Sequence, residues 1–97
     1  MNNEKLLMSL EKLLCELNYA DNIVEVGTQK YLIGLKKLVL KYLQETRKGK
    51  LKITNEGTLG FRRAVIEYDD LANINTLYNA AKSVDMCYLE LCKNKLM

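Results

Sequence analysis

The sequence predicts an α+β fold: three helices packed with a small antiparallel β-hairpin or three-stranded sheet, in the order α-β-α-β-β-α. Three observations predict it. Apolar side chains recur at helical spacing in three separate stretches. Thr54-Asn55-Glu56-Gly57 suits a type I turn closed by a glycine with positive φ, between two short alternating segments. Ala64–Tyr68 then extends past the end of any hairpin partner, and Ile23–Val26 is the spare β-branched run that could pair with it. The alternative is an all-α bundle. In that reading Phe61, Ala64, Val65 and Tyr68 form one face of a short helix, and periodicity alone does not separate the two.

The first helix opens at Asn2 or Asn3, either of which can cap it, with Glu4 placed well for the positive end of the helix dipole. Leu6, Leu10, Leu13 and Leu17, joined by Leu7 and Leu14, fall on one side, while Met8 and Cys15 lie opposite. The pattern breaks over Asn18–Gly27, where Ile23–Val26 reads as a strand. Thr28 is the expected cap of a second helix to about Lys48, with Gly49 as its stop. Leu32, Leu35, Val39 and Tyr42 make its inner seam, and Gly34 falls on its polar side. Ile33 and Leu40 widen the apolar face, which predicts contact with two elements or with a second chain. Self-association into a homodimer through Ile33 and Leu40 is therefore one expectation.

In the predicted hairpin, Ile53 faces Leu59 and Leu51 faces Phe61, while Lys52 lies opposite Gly60 and Lys50 opposite Arg62. Like charges directly opposed on a sheet cost up to about 1 kcal/mol a pair, so such a face suits a negative partner. A bulge at Arg62-Arg63 shifts the alternation onto Ala64, Ile66 and Tyr68. Asp69 or Asp70 then caps a last helix to about Lys93, with a broad apolar stripe from Ile74 to Cys92 that includes Leu77, Ala81, Val84 and Tyr88. The element order resembles that of a winged-helix domain with the hairpin as its wing. That resemblance implies a division of Thr28–Lys48 into two helices near Gly34 and a nucleic-acid partner.

Ninety-seven residues predict one domain, 1–97, able to bury a core without disulfides or metals. Three cysteines fit no disulfide framework and are expected to be free thiols in a cytoplasmic protein. No apolar run reaches the ~20 residues of a membrane helix and no signal peptide is visible, so no membrane partner is expected. Twelve lysines against three arginines, with frequent Asn and Ile, match AT-rich coding sequence such as that of low-GC bacteria and their phages.

Charge is distributed unevenly. Residues 36–63 hold nine basic and two acidic side chains, or +7, while 1–35 and 64–97 each hold three basic and five acidic, or −2. The chain's net +3 therefore hides a positive middle between acidic ends, a statement about partners and not about fold. Lys37, Lys41, Lys48, Lys50, Lys52, Arg62 and Arg63 are the expected contacts to nucleic acid or a protein partner.

Catalytic chemistry is hard to build from this sequence. With no histidine there is no Ser-His-Asp or Cys-His pair and no His-containing zinc site, and three cysteines cannot close a Cys₄ site. There is no GxxxxGK[ST] and no GxGxxG. Glu67, Asp69 and Asp70 could hold magnesium, but they read more simply as a strand end and a helix cap. The expectation is a non-enzyme without metal or cofactor. It would bind nucleic acid mainly through phosphates, with Phe61 inward and no aromatic platform for unpaired bases. The alternative is a phage-type or mobile-element inhibitor or adaptor that binds a host protein, such as a nucleic-acid-handling or defence machine.

Overall fold

In the computed structural model, which describes residues 2–52 and 57–96, the chain folds into five helices. They are α1 (Asn2–Ala20), α2 (Val26–Arg47), α3 (Phe61–Ile66), α4 (Asp69–Ala72) and α5 (Asn75–Leu96). No strand occurs among the described residues, so the α+β class is overturned and the all-α alternative fits.

The leucine spacing of α1 explains the arrangement. Leu6, Leu10, Leu13, Leu17 and Ala20 follow steps of four, three, four and three, and all are buried. This face is wide enough to meet two helices, and α1 packs against both α2 and α5. Lys36 pairs with Asp21, and Arg47 with Glu11 at 3.5 Å, so α2 advances as α1 recedes and the two are antiparallel. A groove lined by Lys12 and Glu16 of α1 and by Thr76, Asn79 and Ser83 of α5 shows the same relation there, with the Thr76 hydroxyl donating to Glu16 at 2.8 Å. The molecule is accordingly elongated, 43 × 21 × 18 Å.

α2 and α5 approach each other little directly. The space between their inner faces is filled by α3 and the connector before it. Phe61 and Val65 of α3 are buried, and the Phe61 ring meets Tyr42 of α2 edge-on at 5.8 Å. The Tyr31 hydroxyl of α2 donates to the Ala64 carbonyl at 2.7 Å. Each large side chain buried in this core contributes about 1.5–3 kcal/mol.

Several sequence expectations are corrected. α1 continues to Ala20, past the expected break at Asn18, because Ala20 completes the buried face. Ile23–Val26 is a tight turn and the start of α2, with Ile23 and Val24 N–H groups donating to the Ala20 carbonyl. α2 runs unbroken through Gly34, so the division near it is absent, and no strand of a wing occurs among the described residues. The 61–66 segment is helix and not strand: Phe61, Ala64 and Val65 share a helical face, and a distant carboxylate satisfies its first N–H groups. The expected last helix divides at Asn73-Ile74 into α4 and α5. The Thr54–Gly57 turn falls largely on residues 53–56, outside the described residues. Gly57 has the positive φ that turn requires, 66°, but no strand occurs among the described residues. Gly49, at φ 69°, ends α2 as expected.

Thr28 is not the cap of α2. The helix begins at Val26, Glu25 occupies the cap position without a side-chain bond, and Thr28 is buried. The capping carboxylate comes from Asp70 of α4. It accepts the Thr28 hydroxyl at 3.0 Å and the Glu25 N–H at 3.3 Å. The Thr28 bond, and then backbone N–H groups, hold the Asp70 carboxyl below its ordinary range against an upward push from burial. A depressed folded value means stability that is present above about pH 4 and lost as pH falls through the folded pKa.

Two outcomes follow. Leu10→Ala or Leu77→Ala should cost about 2–5 kcal/mol in urea unfolding, against about 0.5 or less for exposed Met8→Ala; equal effects would contradict the placement of the core. Asp70→Asn should melt below the parent at neutral pH, with the gap closing as pH drops from about 5 to about 3. A gap independent of pH would show that the carboxylate carries no such linkage.

Candidate functional site

The connector from Lys48 to Gly60 is fixed at its ends by identifiable bonds. Lys48, Gly49 and Lys50 N–H groups return to the last carbonyls of α2. The buried Tyr88 of α5 donates its hydroxyl to the Lys52 carbonyl at 2.6 Å. At the far end Gly60, at φ 79°, turns the chain into α3. Asp85 of α5 accepts the Phe61 N–H at 3.2 Å and the Arg62 N–H at 2.9 Å, one on each carboxylate oxygen. Its charge also suits the positive end of a helix. Asp70 and Asp85 thus do the same work: each starts a helix that lies far from it in sequence.

This anchoring decides where the cations stand. Lys37, Lys41, Lys48, Lys50, Lys52, Arg62 and Arg63 are all exposed. Lys41, Lys50 and Lys52 rim an open groove with Tyr42, Glu45, Thr58, Leu59 and Tyr88. Arg62 and Arg63 rim a second with Thr58, Leu59, Gly60 and Asp85. Thr58 and Leu59 are common to both, so the grooves adjoin. A third, lined by Gly57, Thr58, Arg62, Lys82, Asp85, Met86 and Leu89, continues the surface onto α5. Among the described residues six cations therefore face two carboxylates, Glu45 and Asp85, and Asp85 already accepts two backbone N–H groups.

The cross-strand pairs Lys52–Gly60 and Lys50–Arg62 do not form, because Arg62 sits on a helix and residues 50–52 and 57–60 are not strand. The five cations Lys41, Lys50, Lys52, Arg62 and Arg63 are nevertheless gathered. Lys37 and Lys48 line neither groove. Helical angle places them on the outward pole of α2 with Lys30, and Lys41, about 20° away, at the edge of the same pole. Sequence reasoning missed Lys82, which lies on the polar stripe of α5, and Asp85, whose role required knowing that residue 61 begins a helix.

Aromatic rings are not offered at these grooves as open platforms: Phe61 and Tyr88 are buried and Tyr42 is half-buried. At the opposite end of α2, Glu25, Asp69 and Asp70 line an acidic groove with Tyr68. The described residues hold no group of three or more His, Cys, Asp or Glu side chains placed to bind a metal ion. Cys15, Cys87 and Cys92 are free thiols, exposed, half-buried and buried in turn. Tyr31 is raised by burial first, then by Glu67 and Tyr68, and so stays a neutral donor to Ala64. None of the described helices is long and apolar enough to cross a membrane. The chain matches no protein-family model, and neither the curated proteins nor the solved structures give a significant match.

Removing the Asp85 carboxylate tests the anchoring. Asp85→Ala should lower stability by about 0.5–2 kcal/mol, with Asp85→Asn retaining much of it. Amide exchange at Phe61 and Arg62 should accelerate in the alanine variant. Unchanged exchange there would show that α3 needs no cap from α5.

Proposed function

We propose that this chain is a non-enzymatic binding protein that contacts nucleic acid, mainly through the phosphate backbone. The observation that carries the reading is the gathering of Lys41, Lys50, Lys52, Arg62 and Arg63 around adjoining open grooves. Cations held this way displace the counterions condensed on a polyanion, and the released ions drive association. The connector and α3 are the parts that present them, replacing the hairpin that the sequence suggested.

The chemistry of the surface also supports a class of target. Among the described residues Asn and Gln are absent from the lining of both grooves and only Arg62 and Arg63 offer bidentate donors, so reading of base edges has little to work with. Without an exposed aromatic platform, stacking of unpaired bases is not favoured. A duplex backbone, recognised by charge and shape with little sequence preference, suits these features best.

The test is a titration of labelled duplex and single strands, followed by anisotropy from about 20 to about 200 mM salt. With five phosphate contacts the duplex affinity should fall with a log–log slope of about −4 to −5. Lys50→Ala combined with Lys52→Ala should reduce that slope by about 2 and weaken all sequences alike. Failure of either nucleic acid to bind at the lowest salt removes the proposal, as does a double variant that binds like the parent.

A further inference from the structure

Helix α2 carries a second surface that the grooves do not use. Val26, Ile33 and Leu40 are spaced seven apart and remain 71%, 54% and 46% exposed. At 100° per residue they form one row within about 40° of arc. Lys30, Lys37 and Lys48 form a parallel row beside it, all exposed. Among the described residues none of these three lysines is in an ion pair, whereas Lys36 and Arg47, nearer α1, are paired with Asp21 and Glu11. The motif repeats at a heptad interval: Val26-Gly27 then Lys30, Ile33-Gly34 then Lys37. A Cβ added at Gly27 or Gly34 would meet nothing in the molecule, so the fold itself does not require the open space beside this row.

We infer that this face of α2 docks an acidic amphipathic helix of a protein partner. The apolar row spans about 21 Å, or about two heptads, the length over which one helix can lie along another. A partner helix with an apolar residue every seventh position would seat on Val26, Ile33 and Leu40. Its glutamates or aspartates would flank that seam on the side of Lys30, Lys37 and Lys48, as charged flanks do in paired helices. Charge selects this occupant over a second copy of the chain. Two identical faces brought together would oppose lysine to lysine with no acid on either, and like-charge pairing is disfavoured. The width of the row selects it over lipid: a helix lying in a membrane interface buries a broad apolar face, and here it is one residue wide. Val26, Ile33, Leu40, Lys30, Lys37 and Lys48 line none of the cationic grooves, whereas Lys41, next along the same lysine row, lines one, so the serine variant is the one that separates this inference from the nucleic-acid reading.

The experiment uses the full chain and two synthetic helices of about three heptads, each with leucine at the seam, one flanked by glutamate and one by lysine. Titration by calorimetry should show binding of the glutamate-flanked helix and none of the lysine-flanked one. Ile33→Ser with Leu40→Ser should weaken binding about tenfold or more, and Lys30→Glu with Lys37→Glu should do likewise. The charge-reversed variant should gain affinity for the lysine-flanked helix, a rescue that only a folded protein can give. Nucleic-acid affinity should change little in the serine variant. Equal binding of the two helices, no binding of either, or no effect of the substitutions overturns the inference. So does a dimer by light scattering that the serine variant abolishes, which assigns the row to a second copy. Capture by anionic vesicles without peptide binding assigns it to lipid and overturns it equally.

Discussion

One helix packed on two others constrains the whole molecule. The buried face of α1 has leucine at every core position from Leu6 to Leu17, and it is wide enough to hold α2 on one flank and α5 on the other. Neighbours on opposite flanks of one helix cannot also close tightly on each other along their length. The inner faces of α2 and α5, which include Tyr42 and Tyr88, would then stay open to water. Burying that surface on folding is strongly favourable, so the chain between the two helices must supply the lid. Phe61 and Val65 supply it. α3 is short because its task is to plug a gap.

Two aspartates make the plug specific. The first N–H groups of a helix have no partner within the helix. Asp85 takes the first two N–H groups of α3, while Asp70 takes the Glu25 N–H and Thr28 hydroxyl at the start of α2. Both caps come from across the fold, so each helix start forms properly only when the tertiary structure is in place. Local and global structure are tied together at these points, and the geometry of the cations depends on them. Arg62 and Arg63 follow directly from the position of the Asp85 carboxylate, and Lys52 from the hydroxyl of Tyr88.

The helical seams were readable in the sequence because their periodicity extends over many residues. Leu6 to Leu17, Leu32 to Val39 and Leu77 to Cys92 lie where spacing puts them, with Tyr42 half-buried beside the second group. The middle was not readable, for a physical reason. Leu51/Ile53 and Leu59/Phe61 give two positions each, and two points fit a period of two or of 3.6 equally well. The Asn-Glu-Gly signal then tipped the reading toward a hairpin. What decides the outcome is a contact with residue 85, which local sequence does not carry. The exposed cations were nevertheless identified correctly as exposed, because a charged side chain stays at the surface in either fold. Which of them share a groove depends on tertiary contacts, Tyr88 with Lys52 and Asp85 with Arg62, that local sequence does not carry.

The positive charge borders two kinds of surface. Lys41, Lys50 and Lys52 rim a groove with Tyr42 and Tyr88, whereas Lys30, Lys37 and Lys48 line no groove and stand beside an apolar row on α2. A polyanion and an acidic helix ask different things of a lysine. The first rewards any cation within reach of a phosphate and is indifferent to apolar neighbours. The second rewards cations only beside a seam that excludes water. The grooves are open and rimmed by cations, and the α2 row has its exposed Val26, Ile33 and Leu40. The same residue type thus serves two kinds of surface, and its neighbours determine which.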